Sequence, residues 1–277
     1  MERAEPQIET HTPSINFPRS GGWQLAVAQQ RGTSHETTGE VCQDAYSLAM
    51  LSPEVLVIAI ADGAGSARYA EAGASLAASA GVGQLCARLG EAGAALDETS
   101  LKDILYEGLG AARNAVEAEA AAREVSAHEL ATTLILLIAR PELIAVAQVG
   151  DGATVIANQT GKIIGLTLPP AGEYINETTF ITSAEALRTA QTTVWHGRAA
   201  RLAAFSDGLQ LLCLKWPECL PHEAFFSPLF HFIGTTADES QAGDELGRFL
   251  SSERIKDLTD DDLTLVLASL TDCPDGC

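Results

Sequence analysis

An α+β fold, a β-sandwich of two antiparallel sheets flanked by helices, is the architecture this 277-residue sequence predicts. Three observations lead there. Short apolar runs come in series, separated by turn dipeptides. Two helical stretches follow one another directly, and a further helical region precedes one last apolar run. That order does not fit the strand–helix alternation of a parallel α/β sheet.

The elements follow in order. Residues 1–21 are polar, with Pro6, Pro13, Pro18 and Gly21-Gly22, and read as a loose lead-in. Trp23–Gln29 alternates apolar and polar residues as a strand does. Tyr46–Met50 and Val55–Ile60 are short apolar segments parted by Ser52-Pro53, which points to antiparallel neighbours. Arg68–Leu89 is rich in alanine, and Ser100–Val125 carries Leu101, Ile104, Leu105, Leu109 and Ala112 at helical spacing, so two helices are expected, joined near Gly90–Asp97. Ala131–Ala139, Leu143–Val149, Ala153–Asn158 and Lys162–Leu166 then form a meander broken by Arg140-Pro141, Gly150-Asp151-Gly152 and Thr160-Gly161. Strands are expected at Thr178–Thr182, Thr192–His196 and Arg201–Phe205, helices at Gly208–Lys215 and Asp238–Leu250, and a closing strand at Leu263–Leu270. No linker interrupts the middle, so residues 22–271 are expected to form one domain, followed by a tail at 272–277.

Composition narrows the function. Hydrophobic residues make up 46% of the chain, enough for a sizeable core, while the apolar runs are strand-sized and too short to span a bilayer. Lys plus Arg number 17 against 37 Asp plus Glu, a net charge of −20, and such a chain is a poor nucleic-acid binder because phosphate contacts need clustered cations. The excess of carboxylates serves solubility first. Glu2, Glu5 and Glu9 stand among prolines with no apolar segment of the secretory kind, so a cytoplasmic location is expected. Cys42, Cys86, Cys213, Cys219, Cys273 and Cys277 form no CxxC pair and no zinc-ribbon spacing, and are read as reduced.

Five acidic positions share a setting. Asp44 precedes an apolar run. Asp62 ends Val57–Ala61 and is followed by Gly63-Ala64-Gly65-Ser66. Asp151 lies between two glycines, Asp207 precedes Gly208, and Asp260, Asp261 and Asp262 stand just before the last strand. Each of these is by itself an ordinary turn signal. Several carboxylates at strand ends, however, can gather at one edge of a sandwich without entering its core, and Mg²⁺ and Mn²⁺ favour such oxygen ligands.

Six short segments, in order, make the sequence resemble the metal-dependent serine/threonine phosphatases of type 2C, in a divergent bacterial branch. They are Gly32-Thr33-Ser34-His35 with Gln43-Asp44, Ala61-Asp62-Gly63-Ala64-Gly65-Ser66, Ala131-Thr132-Thr133-Leu134, Val149-Gly150-Asp151-Gly152, Ser206-Asp207-Gly208-Leu209 and Asp261-Asp262-Leu263-Thr264. The resemblance covers roughly residues 23–270. It implies two packed antiparallel sheets with flanking helices, two divalent cations (Mg²⁺ or Mn²⁺), and hydrolysis of phosphoserine or phosphothreonine by attack of a metal-bridging water. It further implies Asp62 as the bridging ligand with the Gly63 carbonyl beside it, Asp207 and Asp261 on one ion, Asp44 with Gln43 on the other, and Asp151 at a weaker third site. Two cations about 4 Å apart would acidify a shared water and screen the phosphate's charge, so no cysteine or serine nucleophile is needed. The implied partner is a phosphorylated protein, the target of a serine/threonine kinase, with neither nucleic acid nor membrane involved.

The sequence departs from the family pattern in places. His35 stands where an arginine usually binds the substrate phosphate, with Arg31 and Arg68 as nearby alternatives; a histidine lacks the bidentate fork. Ala64 replaces a histidine that many members carry after Asp-Gly. Gln43 stands where a glutamate is common in animal members, and Leu211 where some members place another acidic ligand. Two other readings therefore stand beside the enzyme: a pseudophosphatase that binds a phosphoprotein without turning it over, and a phosphatase of small metabolites. Leu168–Thr193, the expected substrate-facing flap, carries no readable specificity code.

Overall fold

The computed structural model of the chain describes residues 21–92, 96–169 and 178–271. The chain runs through β1 (Gly22–Gln30), α1 (Thr33–Thr38), β2 (Asp44–Ser52), β3 (Val55–Asp62), α2 (Ala70–Ala92), α3 (Glu98–Ala122), β4 (Leu134–Arg140), β5 (Leu143–Val149), β6 (Ala153–Asn158) and β7 (Ile163–Thr167). It continues through α4 (Ala186–Thr189), β8 (Gln191–His196), β9 (Ala199–Phe205), α5 (Gln210–Cys213), β10 (Leu214–Lys215), β11 (Leu220–Pro221), α6 (Glu223–Thr235), α7 (Glu239–Leu250), α8 (Glu253–Lys256) and β12 (Leu263–Thr271). The strands form one sheet in the order β1-β12-β9-β6-β7 and another in the order β2-β3-β4-β5-β8, with β10 and β11 as a separate ribbon. The ladders within both sheets are antiparallel. The two-sheet architecture expected from the order of elements is the one observed.

Side-chain alternation assigns each strand face to a layer. Along β3, Leu56, Ile58 and Ile60 enter the core between the sheets, while Val57, Ala59 and Ala61 face a second core under α2 and α3. Along β12, Val266 and Ala268 point between the sheets, and Leu265 and Leu267 face a third core under α6 and α7. Both faces of each sheet are thus covered, so the central strands read as continuous apolar runs rather than as polar–apolar alternation. Small residues Ala74, Ala77 and Ala78 on α2 let it lie close to the sheet, and Leu101, Ile104, Leu105 and Leu109 of α3 close the layer.

Several expectations need correction. Thr178–Thr182 is not a strand: one backbone bond from Ile181 N to Thr132 O (2.8 Å) fixes it, and the chain then turns where Ser183 N donates to Phe180 O. The helix expected over Gly208–Lys215 is a 3-10 turn, Asp207–Leu209, followed by the single turn of α5. It stops because Leu214-Lys215 pairs with Leu220-Pro221. Helix α6 was not foreseen: Phe226, Leu229, Phe230 and Ile233 are spaced for one buried face, but Pro228 inside it masks the pattern. The lead-in at 1–20, the tail with Cys273 and Cys277, and residues 170–177 of the expected flap lie outside the described residues. Among the described residues, Cys42, Cys86, Cys213 and Cys219 are free thiols, and no helix is long and apolar enough to cross a membrane.

Candidate metal centre and active site

Strand register carries the acidic turns to one rim. Asp44, at the start of β2, is the ladder partner of Asp62 at the end of β3. Phe205, at the end of β9, is opposite both Leu265 of β12 and Ala153 of β6. Asp207 therefore leaves β9 at the edge where Asp261 and Asp262 enter β12, and Asp151 occupies the β5–β6 turn at that edge. Asp62, Asp151 and Asp207 each present a carboxylate oxygen, and these oxygens lie within 4.8 Å of one another. A cleft of about 230 Å³ opens beside them, lined by Asp62, Gly63, Asp207, Asp261 and Asp262 together with His35, Gln43, Thr178 and Phe180.

These carboxylates resist ionisation together. Burial pushes Asp44 up to about 7, with the charges of Asp207 and Asp262 adding to it, although Ser206 Oγ donates to its Oδ2 at 2.7 Å. Asp62 is raised well above the usual range by burial and by the charges of Asp44 and Asp207. Asp207 is raised to about 6, again by burial and then by Asp151 and Asp261; Asp261 moves in the same direction, chiefly through burial. Oδ1 of Asp44 and Oδ1 of Asp151 are buried without a hydrogen-bond partner. A rim of clustered carboxylates, two of them with unpartnered oxygens, is a donor set suited to hard divalent cations.

Neutral groups hold this rim in shape. Thr133 Oγ1 accepts from Asp62 N (3.0 Å), while Thr132 Oγ1 and Thr133 N donate to Asp62 O at 2.9 and 2.8 Å. The Ala131–Leu134 segment therefore fixes the backbone at the centre of the cluster. Gln210 Nε2 donates to Asp151 O and Thr178 Oγ1 to Asp151 Oδ2, both at 2.8 Å. Asp262 is buried and takes up three donors: Gly32 N at 2.7 Å, Gln43 N at 2.5 Å, and the Nδ1 side of His35 at 3.0 Å. It ties the β1–α1 loop and the start of β2 to the entry of β12. The sequence assigns no role to Asp262 or Thr178; Asp262 stands there only in a run of three aspartates and in the segment Asp261-Asp262-Leu263-Thr264.

The other singled-out residues fall as follows. His35, on α1, lines the cleft with a side chain 13% exposed. Arg31 Nη1 reaches the Glu40 carbonyl at 3.1 Å, and the Arg68 guanidinium stacks over Tyr69 at 5.1 Å. Ala64 lines the cleft, and Leu211 is 70% exposed on α5. Asp44 lies behind the cleft wall, under Ser206.

Two glycines permit the close approach of loops that brings Asp207 to Asp261. A Cβ on Gly208 would sit 2.2 Å from the Asp262 carbonyl oxygen, and one on Gly32 would sit 2.4 Å from that of Asp260. Both obstacles are backbone, so neither can swing aside. Gly208→Ala is therefore expected to destabilise the protein by about 2–3 kcal/mol, as overpacking does, and to displace the Asp261 loop. Urea unfolding measures the first effect; a change under 0.5 kcal/mol would show that the loop yields freely.

The comparisons with known proteins agree with this geometry. A family model described as protein phosphatase 2C matches residues 31–251. Serine/threonine-protein phosphatase 3 of Escherichia coli (strain K12) is 36% identical over 253 residues, covering 89% of this chain and 98% of that protein. A serine/threonine phosphatase of S. agalactiae superposes with a TM-score of 0.63 at 16% identity, over 90% of this chain and 100% of the other. One from Staphylococcus aureus gives 0.60 at 14%, over 92% and 99%. These structural matches, at such identities, speak for the fold; together with the sequence matches they leave one assignment. The chain belongs to the protein phosphatase 2C family.

Proposed function

We propose that the protein is a cytoplasmic, Mg²⁺- or Mn²⁺-dependent phosphatase that hydrolyses phosphoserine and phosphothreonine on proteins, with residues 22–271 acting as one catalytic unit. The observation that carries this reading is the convergence of Asp62, Asp151 and Asp207 from three separate turns into one rim. Asp62, the Gly63 carbonyl, Asp207 and Asp261 would hold the cations, with Asp44 supporting from behind and Asp151 at the edge. Bound divalent cations supply positive charge that neutralises the phosphate dianion and acidifies water.

The chain's own residues do the rest. Ionisation of the buried carboxylates is disfavoured until positive charge is present, so the cleft is matched to a cation-bearing state. Phe180 and Gly63 give the cleft walls without charge, which spares an incoming phosphate further repulsion. His35 faces the same space as a donor. A protein substrate is favoured by the relative named as a serine/threonine-protein phosphatase, which matches nearly the full length of this chain. The intact acidic rim weighs against a non-catalytic binding module. The test is release of phosphate from phosphoserine and phosphothreonine peptides with Mn²⁺ or Mg²⁺. We expect turnover that EDTA abolishes and re-added metal restores; turnover indifferent to EDTA would defeat the reading.

A further inference from the structure

Among the described residues that line the cleft, His35 is the one side chain other than a carboxylate with a dissociable proton; Gln43 and Thr178 can donate hydrogen bonds but cannot give up a proton at neutral pH. Its setting is specific. The Asp262 carboxylate already accepts from two backbone N–H groups, so it acts as an acceptor toward Nδ1, and Nδ1 carries a hydrogen. That leaves Nε2 as the ring atom free to act. Its nearest charged neighbour is Glu40 Oε2 at 3.8 Å on an exposed side chain, and Asp261 lines the same cleft. Helix α1 is also bolted in place: Ser34 N and Ser34 Oγ both donate to Asp260 O, at 3.0 and 2.7 Å. A cleft-lining histidine held through one nitrogen by a buried carboxylate, its other nitrogen without a hydrogen bond among the described residues, is suited to directed proton transfer.

Resting on the phosphatase reading, we propose that His35, oriented by Asp262, donates the proton to the serine or threonine oxygen that leaves phosphorus. In the balanced step, the oxygen of the attacking water forms a new bond to phosphorus as the bond to the seryl oxygen breaks. The electron pair of that bond goes to the seryl oxygen, which takes the Nε2 proton of His35 in its imidazolium form, protonated at both nitrogens, and leaves the neutral ring with its remaining hydrogen on Nδ1 toward Asp262. The alcohol and inorganic phosphate depart, and the imidazole regains a proton from solvent, to which the attacking water has released its own. Asp262 is a positioning residue: its carboxylate oxygens are taken up by Gly32 N, Gln43 N and His35 Nδ1.

The experiment compares two esters on the Mn²⁺-loaded protein. An alkoxide leaving group needs a proton, whereas p-nitrophenolate leaves without one. In His35→Ala, and equally in His35→Gln, the ratio of kcat/KM on p-nitrophenyl phosphate to that on a phosphoserine peptide should rise about 100-fold over wild type. In Asp262→Asn it should rise in the same direction by about 10-fold, whereas mere loosening of the loops would slow both esters alike and leave the ratio fixed. In the metal-free protein, a downfield imidazole N–H proton resonance should vanish in both His35→Gln and Asp262→Asn. An equal fall on both esters, or recovery of peptide turnover in His35→Gln, would overturn the proton-donor role and leave the phosphatase reading standing. Wild-type protein without Mn²⁺-dependent turnover of either ester would remove that reading, and this inference with it.

Discussion

Asp62→Asn is expected to lower metal-dependent phosphate release by about 10³-fold or more and, in the same molecule, to make the metal-free protein more stable. The two effects have one cause. Asp62 is held at the centre of the rim by Thr132 and Thr133, among Asp44, Asp151 and Asp207. Its charge is costly without a cation and necessary with one. Asparagine keeps the size and the backbone contacts but removes the charge, so the neighbours repel less and burial costs less. Loss of a central ligand forfeits about 4 kcal/mol of charge stabilisation in the reaction, which corresponds to the stated factor. Relief in the metal-free state is of order 1–2 kcal/mol, or roughly 2–8 °C in melting temperature for a chain of this size. Calorimetry in EDTA at pH 8, with and without excess Mn²⁺, measures both sides: wild type should gain on adding metal, and the variant should start higher and gain little. A variant that melts lower in EDTA and still responds fully to Mn²⁺ would show that Asp62 is neither strained nor a ligand.

How much of this was legible in the chain depends on whether the information is local. Asp62 and Asp207 stood out because each ends an apolar run and precedes a glycine, and both features are visible within five residues. The sandwich was legible because the order of runs and turns excludes a parallel sheet. Asp262 was hidden in Asp260-Asp261-Asp262: which carboxylate turns inward is decided by the donors Gly32 N and Gln43 N, more than 200 residues away in sequence. The resemblance places Asp151 at a third, weaker metal. In the structure its carboxylate lies within one cluster with those of Asp62 and Asp207, an arrangement set by how β6 pairs with β9. The strand expected at Thr178–Thr182 failed for a related reason. Thr178 is claimed by Asp151 and Ile181 by Thr132, and these tertiary bonds outweigh the local β-propensity of Thr-Thr-Phe-Ile-Thr.

The stability of the metal-free protein should fall as pH rises from about 4 to about 7, and added Mn²⁺ should recover part of the loss. Asp44 and Asp207 titrate near 7 and near 6 in the folded protein, against 3.8 for an unperturbed aspartate. Between those values the native state holds protons that the unfolded chain has released, so the slope of unfolding free energy with pH is negative; below about 4 both states are protonated and above about 7 neither is. Lowered carboxylates act in the opposite sense, but Asp97, held down by hydrogen bonds from Ser100, and Glu98, held down chiefly by Lys102, are on the surface, where water screens the effect. The buried rim therefore decides the sign, with a total of about 7 kcal/mol across the window if the two groups titrate independently. Cation binding requires the ionised form and expels those protons, so its benefit grows over the same interval. At a free Mn²⁺ concentration 100 times the dissociation constant at pH 7.5, the gain is about 2.7 kcal/mol, or roughly 5–11 °C in melting temperature. The same metal concentration at pH 5 should yield less than half of that, because protons then compete for the carboxylates. Melting curves at the two pH values, in EDTA and in Mn²⁺, give all four corners of the cycle. A metal-free protein that melts higher at pH 7.5 than at pH 5, or a Mn²⁺ increment independent of pH, would mean that the rim carboxylates titrate in the ordinary carboxylate range and that their convergence carries no electrostatic cost.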